Sequence, residues 1–296
     1  MNIRVVGRLI AGTFDEWMND NVPTLAASLA FYTIFSIAPV LMIIVGIAGI
    51  LYDEDAARTT ILTQVNELVG PRGSRVVETA LRDANANSGA ATFFGLIGIF
   101  FGATAVFANL QDAMNVIWGV APKPGGRIWP FFRKRIFSFF MVVGFGLVLL
   151  LSLIVSTVVS AVLEFASAAL PFPGSRLAIA DATVWLIILT FCFALIYKVI
   201  PDAKISWPDV WVGAVAAAFL FVGGQMLISL YITRSSVAST FGAAGSLVVF
   251  LLWIYYSAQI FLLCSEFTQV YARYRSHKIV PAENAVRVTK VTRTAA

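Results

Sequence analysis

Five stretches of the chain run for more than 20 residues without a charged side chain: Asn21 to Tyr52, Ala84 to Gln111, Ile136 to Leu163, Val210 to Thr233 and Ser235 to Ser265. A sixth, Ala182 to Tyr197, is shorter, but reaches about 20 residues once Leu177 to Ala180 are added and Asp181 is tolerated near its end. A bilayer core of about 30 Å takes roughly 20 helical residues to cross, and inside it every backbone N–H must be paired within the segment. The pattern therefore predicts an all-α polytopic membrane protein with six transmembrane spans, near residues 23–51, 91–118, 136–163, 178–197, 209–232 and 246–271.

Three pieces lie outside this membrane domain, which covers 23–273. Residues 1–22 place Val6, Leu9, Ile10, Phe14 and Trp17 on roughly one helical face. Such a segment is either an amphipathic interfacial helix on the inner leaflet or a short helix packed on its own bundle. In the connection 53–89, the residues Ile61, Leu62, Val65, Leu68 and Val69, and then Val76, Val77, Ala80 and Leu81, follow helical spacing on either side of Pro71 and Gly73. They predict two short amphipathic helices over the outer mouth of the bundle. Residues 274–296 lose apolar periodicity and read as a mobile, basic cytoplasmic tail close to anionic headgroups. The first apolar run is too long for a signal-peptide core, so the first span is expected to stay in the mature protein.

With 59% hydrophobic and 12% charged residues, little is left for an aqueous domain. The net charge of +5 matters through its distribution. Fifteen of the 21 Lys and Arg fall on one side of the predicted spans: Arg4 and Arg8, five from Lys123 to Arg135, then Lys198 and Lys204, and six from Arg273 to Arg293. The other 6, Arg58, Arg72, Arg75, Arg82, Arg176 and Arg234, fall on the opposite side. The positive-inside rule then places both termini in the cytoplasm.

Polar side chains inside a membrane are costly and usually face the bundle interior, so they are the candidates for function. Asn109, Asp112 and Asn115 recur at three-residue spacing on the second span, and Tyr255, Gln259 and Glu266 form a stripe on the sixth. Ser28, Tyr32 and Ser36 make a row at four-residue spacing on the first. Ser28, Asp112 and Glu266 would each sit roughly 8 to 10 Å inside the cytoplasmic boundary, at about 1.5 Å per residue. If those spans adjoin, the nine residues form one inward-opening pocket; otherwise Asp112 and Glu266 reach the headgroups or tie helices together. Arg133, Lys134 and Arg135 are placed to bind lipid headgroups. Pro39, in the middle of the first span, is a kink that serves as a hinge or stays static. Gly95, Gly98 and Gly102, and Gly213 with Ala217, read as close-packing sites, and Gln225 as an interhelical hydrogen bond.

Three segments carry a resemblance: AASLAFYTIFSIAPVLMIIVGIAG (Ala26 to Gly49), FANLQDAMNVIWGV (Phe107 to Val120) and FGAAGSLVVFLLWIYYSAQIFLLCSEFTQVYA (Phe241 to Ala272). In order and spacing over nearly the whole chain they resemble the YihY/BrkB family of bacterial inner-membrane proteins. That resemblance implies a six-helix, multi-pass protein of the bacterial inner (plasma) membrane. Older labels for the family are serum-resistance factor and ribonuclease BN, so it implies the fold more than the activity.

The ribonuclease label finds little in the residues. A metal-dependent nuclease needs clustered His, Asp or Glu ligands in water, and the single histidine, His277, stands in the basic tail. Cys192 and Cys264 fall within predicted spans and read as small apolar residues. The chain is expected to be no enzyme, to have no catalytic residues, metal or cofactor, and to bind no nucleic acid. Membrane lipids are its expected partners, with envelope proteins or further copies of itself as others. The leading expectation is a transporter-like or permease-like component moving an amphipathic, anionic, lipid-like molecule in envelope maintenance. The alternative is a nonenzymatic scaffold for envelope-assembly partners, and a membrane-embedded hydrolase has the least support.

Overall fold

The computed structural model describes residues 3–51, 59, 62–63, 78, 90–123, 135–141, 143–144, 147, 174–234, 245–275 and 279–288. Most of these are helical: α1 (Ile3–Asn19), α2 (Val22–Leu51), α3 (Ala90–Ile117), α4 (Gly174–Val199), α5 (Trp207–Arg234) and α6 (Gly245–Tyr274). Helices α2 to α6 coincide within a few residues with five of the predicted spans. Of the remaining one, 136–163, the described residues are 136–141, 143–144 and 147, all helical. The helices expected between 53 and 89 lie almost wholly outside the described residues. Among the described residues, Trp207–Leu227 and Phe250–Tyr274 are long and apolar enough to cross a membrane, and Val22–Ile37 and Thr183–Val199 are shorter apolar runs.

Local chemistry sets the helix ends. Between α1 and α2, Asn21 takes a left-handed conformation (φ 51°), which its short polar side chain tolerates better than most. Gly119 does the same after α3 (φ 60°), and its N–H donates to Val116 O at 3.1 Å, closing the last turn. At the start of α5, Ser206 O accepts from the N–H groups of Asp209 and Val210, both at 3.2 Å. Pro208 suits that first turn, where its missing N–H costs no helical bond.

Helix α6 is the hub, packing against α1, α2, α3 and α5, while α2 also packs on α3 and α5 on α4. Close approach depends on glycine at three places. A Cβ at Gly102 would lie 2.8 Å from Pro39 Cγ; one at Gly213 would run into Thr268 of α6, and one at Gly224 into the Tyr256 ring. The close-packing roles expected of Gly102 and Gly213 are thus visible, and Ala217, four residues on from Gly213, is fully buried; the surroundings of Gly95 and Gly98 lie outside what is described. α2 stays helical through Pro39, whose ring fills the space that the missing side chain of Gly102 leaves. Gln225, expected to bond across helices, is instead exposed.

Among the described residues, four short strands add to the all-helical expectation. β1 (Val120–Pro122) follows α3, β2 (Ala203–Lys204) joins α4 to α5, and β3 (Val280–Pro281) and β4 (Ala285–Arg287) follow α6. β4 pairs antiparallel with β1, Val120 opposite Arg287, and β3 pairs antiparallel with β2. The N–H of Ala285 bonds to Ala282 O at 3.0 Å, forming the turn between β3 and β4. Residues 279–288 therefore form a strap across the ends of α3 and of the α4–α5 connection. For residues 279–288 this corrects the expectation of a mobile tail over 274–296; 276–278 and 289–296 lie outside the described residues. Strands of two or three residues are too short to show an alternating pattern, so periodicity could not reveal them.

Candidate functional site

Polar side chains gather at two levels of the bundle. On the α2–α3 contact, Ser28 Oγ donates to Asn109 Oδ1 at 3.1 Å and Ser36 Oγ donates to Gly102 O at 2.6 Å. Tyr32 does not join its two neighbours in the row: it is 39% exposed, with its ring edge-on to Phe31 at 5.7 Å. On α6, Gln259 Nε2 donates to Tyr255 OH at 2.8 Å, and Gln259 Oε1 accepts from Trp17 Nε1 of α1 at 3.2 Å. Ser28 and Ser36 of the first row thus join α2 to α3, and Gln259 of the α6 stripe joins α6 to α1.

The second level lies where α3 and α4 end. Asn115 clasps Asp202 with both ends of its amide: Oδ1 accepts from the Asp202 backbone N–H at 2.8 Å, and Nδ2 donates to Oδ2 at 2.8 Å. Gln111 Nε2 donates to both oxygens of the same carboxylate at 3.2 Å. The Asp202 carbonyl in turn accepts from Ala282 N–H of the strap at 2.8 Å. Gln269 Nε2 donates to Ile117 O at 2.9 Å, satisfying one of the carbonyls that the end of α3 leaves open. Beside it on α6, Glu266 has no exposed surface, and Ser265 and Thr268 are equally buried. Ser265 Oγ donates to Met114 Sδ at 3.4 Å. Asp209, at the start of α5, is also fully buried, with Arg275 at 3.6 Å.

The structure divides the candidates from α3. Asn115 points inward, whereas Asp112 is exposed and shares its strip with Val116, four residues on. Asp112 and Glu266 therefore do not share an enclosed cavity. A three-residue step falls about 60° short of a full turn, so residues 109, 112 and 115 drift around the helix instead of holding one face. The four-residue pair Gln111 and Asn115 holds its face better and reaches Asp202. Sequence reasoning missed Gln111, Asp202, Asp209 and Gln269. Gln111 and Gln269 carry a legible signal, a polar partner three or four positions away, and Ser206 with Asp209 has the spacing of a helix-start capping box. Asp202, in a connection, offers none.

Arg135 departs from its expected headgroup role. Its guanidinium donates to Thr104 Oγ1 at 3.3 Å and lies 5.2 Å from the centre of the Phe101 ring, both on α3. Thr104 is about 20 Å from the end of α3 at 1.5 Å per residue, so Arg135 reaches the middle of that helix. Arg133 and Lys134 lie outside the described residues.

A family model described as Virulence factor BrkB matches residues 13–289, a range that takes in the second half of α1, helices α2 to α6 and both strands of the strap. UPF0761 membrane proteins are similar over most of the chain. The one from Ralstonia nicotianae is 27% identical over 247 residues, covering 82% of this chain and 54% of the relative. That of Rhodospirillum centenum is 27% identical over 269 residues, 89% of this chain and 57% of the relative. One from Vibrio vulnificus is 25% identical over 274 residues, 91% of this chain and 83% of the relative. This chain thus spans little more than half the length of the first two. No solved structure matches it. The span-length apolar helices and the family match over residues 13–289 lead to one conclusion: the chain is an integral membrane protein of the BrkB family.

Proposed function

We propose that the protein spans the bacterial inner membrane six times with both termini in the cytoplasm, and acts as a transporter-like component for an amphipathic anionic molecule. The observation that carries this reading is Glu266. It is a carboxylate without exposed surface on the hub helix α6, next to buried Ser265, Thr268 and Gln269. A charge so placed within a spanning helix is expensive and typically marks a substrate or ion path. The charge asymmetry supports the orientation, since β1, β2 and the strap bring the basic connections and the segment after α6 to one end of the bundle. At that end Trp207 is 43% exposed, with Lys198 Nζ 5.5 Å from its ring centre, as suits an interfacial aromatic anchor. The polar clasp around Asp202 belongs to this end as structure, and Glu266 is the residue assigned to the transported species or its coupling ion.

Flux measurements on the purified full chain in phosphatidylglycerol-containing vesicles test the reading. Wild type is expected to equilibrate a fluorescent anionic lipid across the bilayer, and Glu266→Gln, nearly isosteric, is expected to lose that activity while inserting normally. Flux no faster than in empty vesicles would overturn it in favour of the scaffold. Full flux in Glu266→Gln would remove Glu266 from the path.

A further inference from the structure

Helix α1 presents three faces to its surroundings. The first is packed: Leu9 and Thr13 are buried, a Cβ on Gly12 would touch Val270 of α6, Trp17 bonds to Gln259, and Glu16 pairs with Arg273 at 2.7 Å. The second is apolar and uncovered: Ile10 is 49% exposed, Phe14 52% and Met18 63%. The third is charged and exposed, with Arg4, Arg8 and Asp15. At about 100° per residue, Ile10, Phe14 and Met18 fall within about 80° of one another, and Arg4, Arg8 and Asp15 occupy roughly the next 40°. Going round the helix, the order is bundle, apolar surface, charge.

A helix packed in a soluble bundle needs one apolar face, and a free helix on a membrane also needs one. Here there are two, and only the first has a partner among the described residues. We infer that the Ile10–Phe14–Met18 row is a lipid contact: α1 lies at the edge of the bundle with this row in the acyl layer of the leaflet and the Arg4–Arg8 sector at the anionic headgroups. Charge complementarity favours lipid, because arginines on the flank of an apolar row reach phosphate while their stems stay in the apolar layer. Continuity favours it as well, since α2, which follows through the Asn21 turn, exposes Phe31 (56%) and Phe35 (64%) on a helix of the membrane domain. The sequence pattern, which put Leu9, Ile10 and Phe14 on one face, merged two surfaces that the bundle separates.

Spin-label power saturation tests the inference on the full chain in vesicles of phosphatidylethanolamine and phosphatidylglycerol, and it reads position independently of any flux. Single cysteines replace residues in a background of Cys192→Ala and Cys264→Ala. Labels at Ile10→Cys, Phe14→Cys and Met18→Cys are expected to meet dissolved oxygen more than a water-soluble nickel chelate. The ratio is expected to invert at Arg8→Cys and Asp15→Cys, and both collision rates to be low at Leu9→Cys. Gly7→Cys provides a second reading in the apolar sector without deleting a side chain, since nothing lies within 4 Å of a Cβ there. Low access to both reagents along the row would mean that protein, such as another copy of the chain, covers it, and would overturn the inference. Preferential access of the nickel chelate would overturn it too.

Discussion

The end of the bundle near the strap and its middle are held by opposite means. At the strap end, Gln111 and Asn115 bond to Asp202, whose carbonyl accepts from Ala282 N–H of the strap, and Gln269 bonds to Ile117 O at the end of α3. In the middle, Gly102 and Gly224 let helices approach until Pro39 and Tyr256 fill the gap. Hydrogen bonds tolerate partial replacement, because a missing partner can be supplied by another polar group or water. Tight packing has no such substitute, because an added methyl must displace atoms already in contact. The comparison predicts that packing changes in the middle fail abruptly, and that polar changes at the strap end fail by degrees.

The sharpest test is Gly224→Val, which should destabilise the protein by about 3 kcal/mol, near the upper end for overpacked cores, as read by thermal melting in nanodiscs. Tyr256→Ala in the same chain should recover part of that loss, and two independent, additive losses would show that the two residues do not share the space. Asp202→Ala comes next, at about 2 kcal/mol, since it leaves the Gln111 and Asn115 amides without their carboxylate; Asp202→Asn should lose roughly half as much. Ala282→Pro, which deletes the N–H donated to Asp202 O, should cost about 1 kcal/mol and speed tryptic cleavage at Arg287. An unchanged cleavage rate would mean the strap is held elsewhere. The smallest effect is expected of Arg273→Ala, whose pair with Glu16 is half exposed and contributes no more than about 1 kcal/mol.

The difference between these regions also explains what could be read without coordinates. Helices α2 to α6 and the close approaches at Gly102 and Gly213 were legible because long charge-free runs and small residues state the membrane's demands directly, whereas nothing in the sequence singled out Gly224. Ser28 with Asn109, and Gln259 with Tyr255, were legible as rows at helical spacing. Asp112 was misread because a three-residue repeat follows no single helix face. Asp202 was invisible because its importance depends on where a loop lands, and the strap because its pairing joins segments far apart in the chain. Local pattern encodes how a helix meets its solvent; it does not encode which distant strand closes over its end.

That distance between β1 and β4 sets an order of events during synthesis. Val120 finds its partner only when Arg287 has been made, after α4, α5 and α6. A ribosome delivers the chain from its amino end, so the end of α3 stays open while the later helices are made. The last described residues to leave the ribosome are the ones that seal it. Closure of the strap thus reports that every helix before it has arrived, and a chain stalled inside α6 would expose an unpaired β1 to the quality-control proteases of the cell.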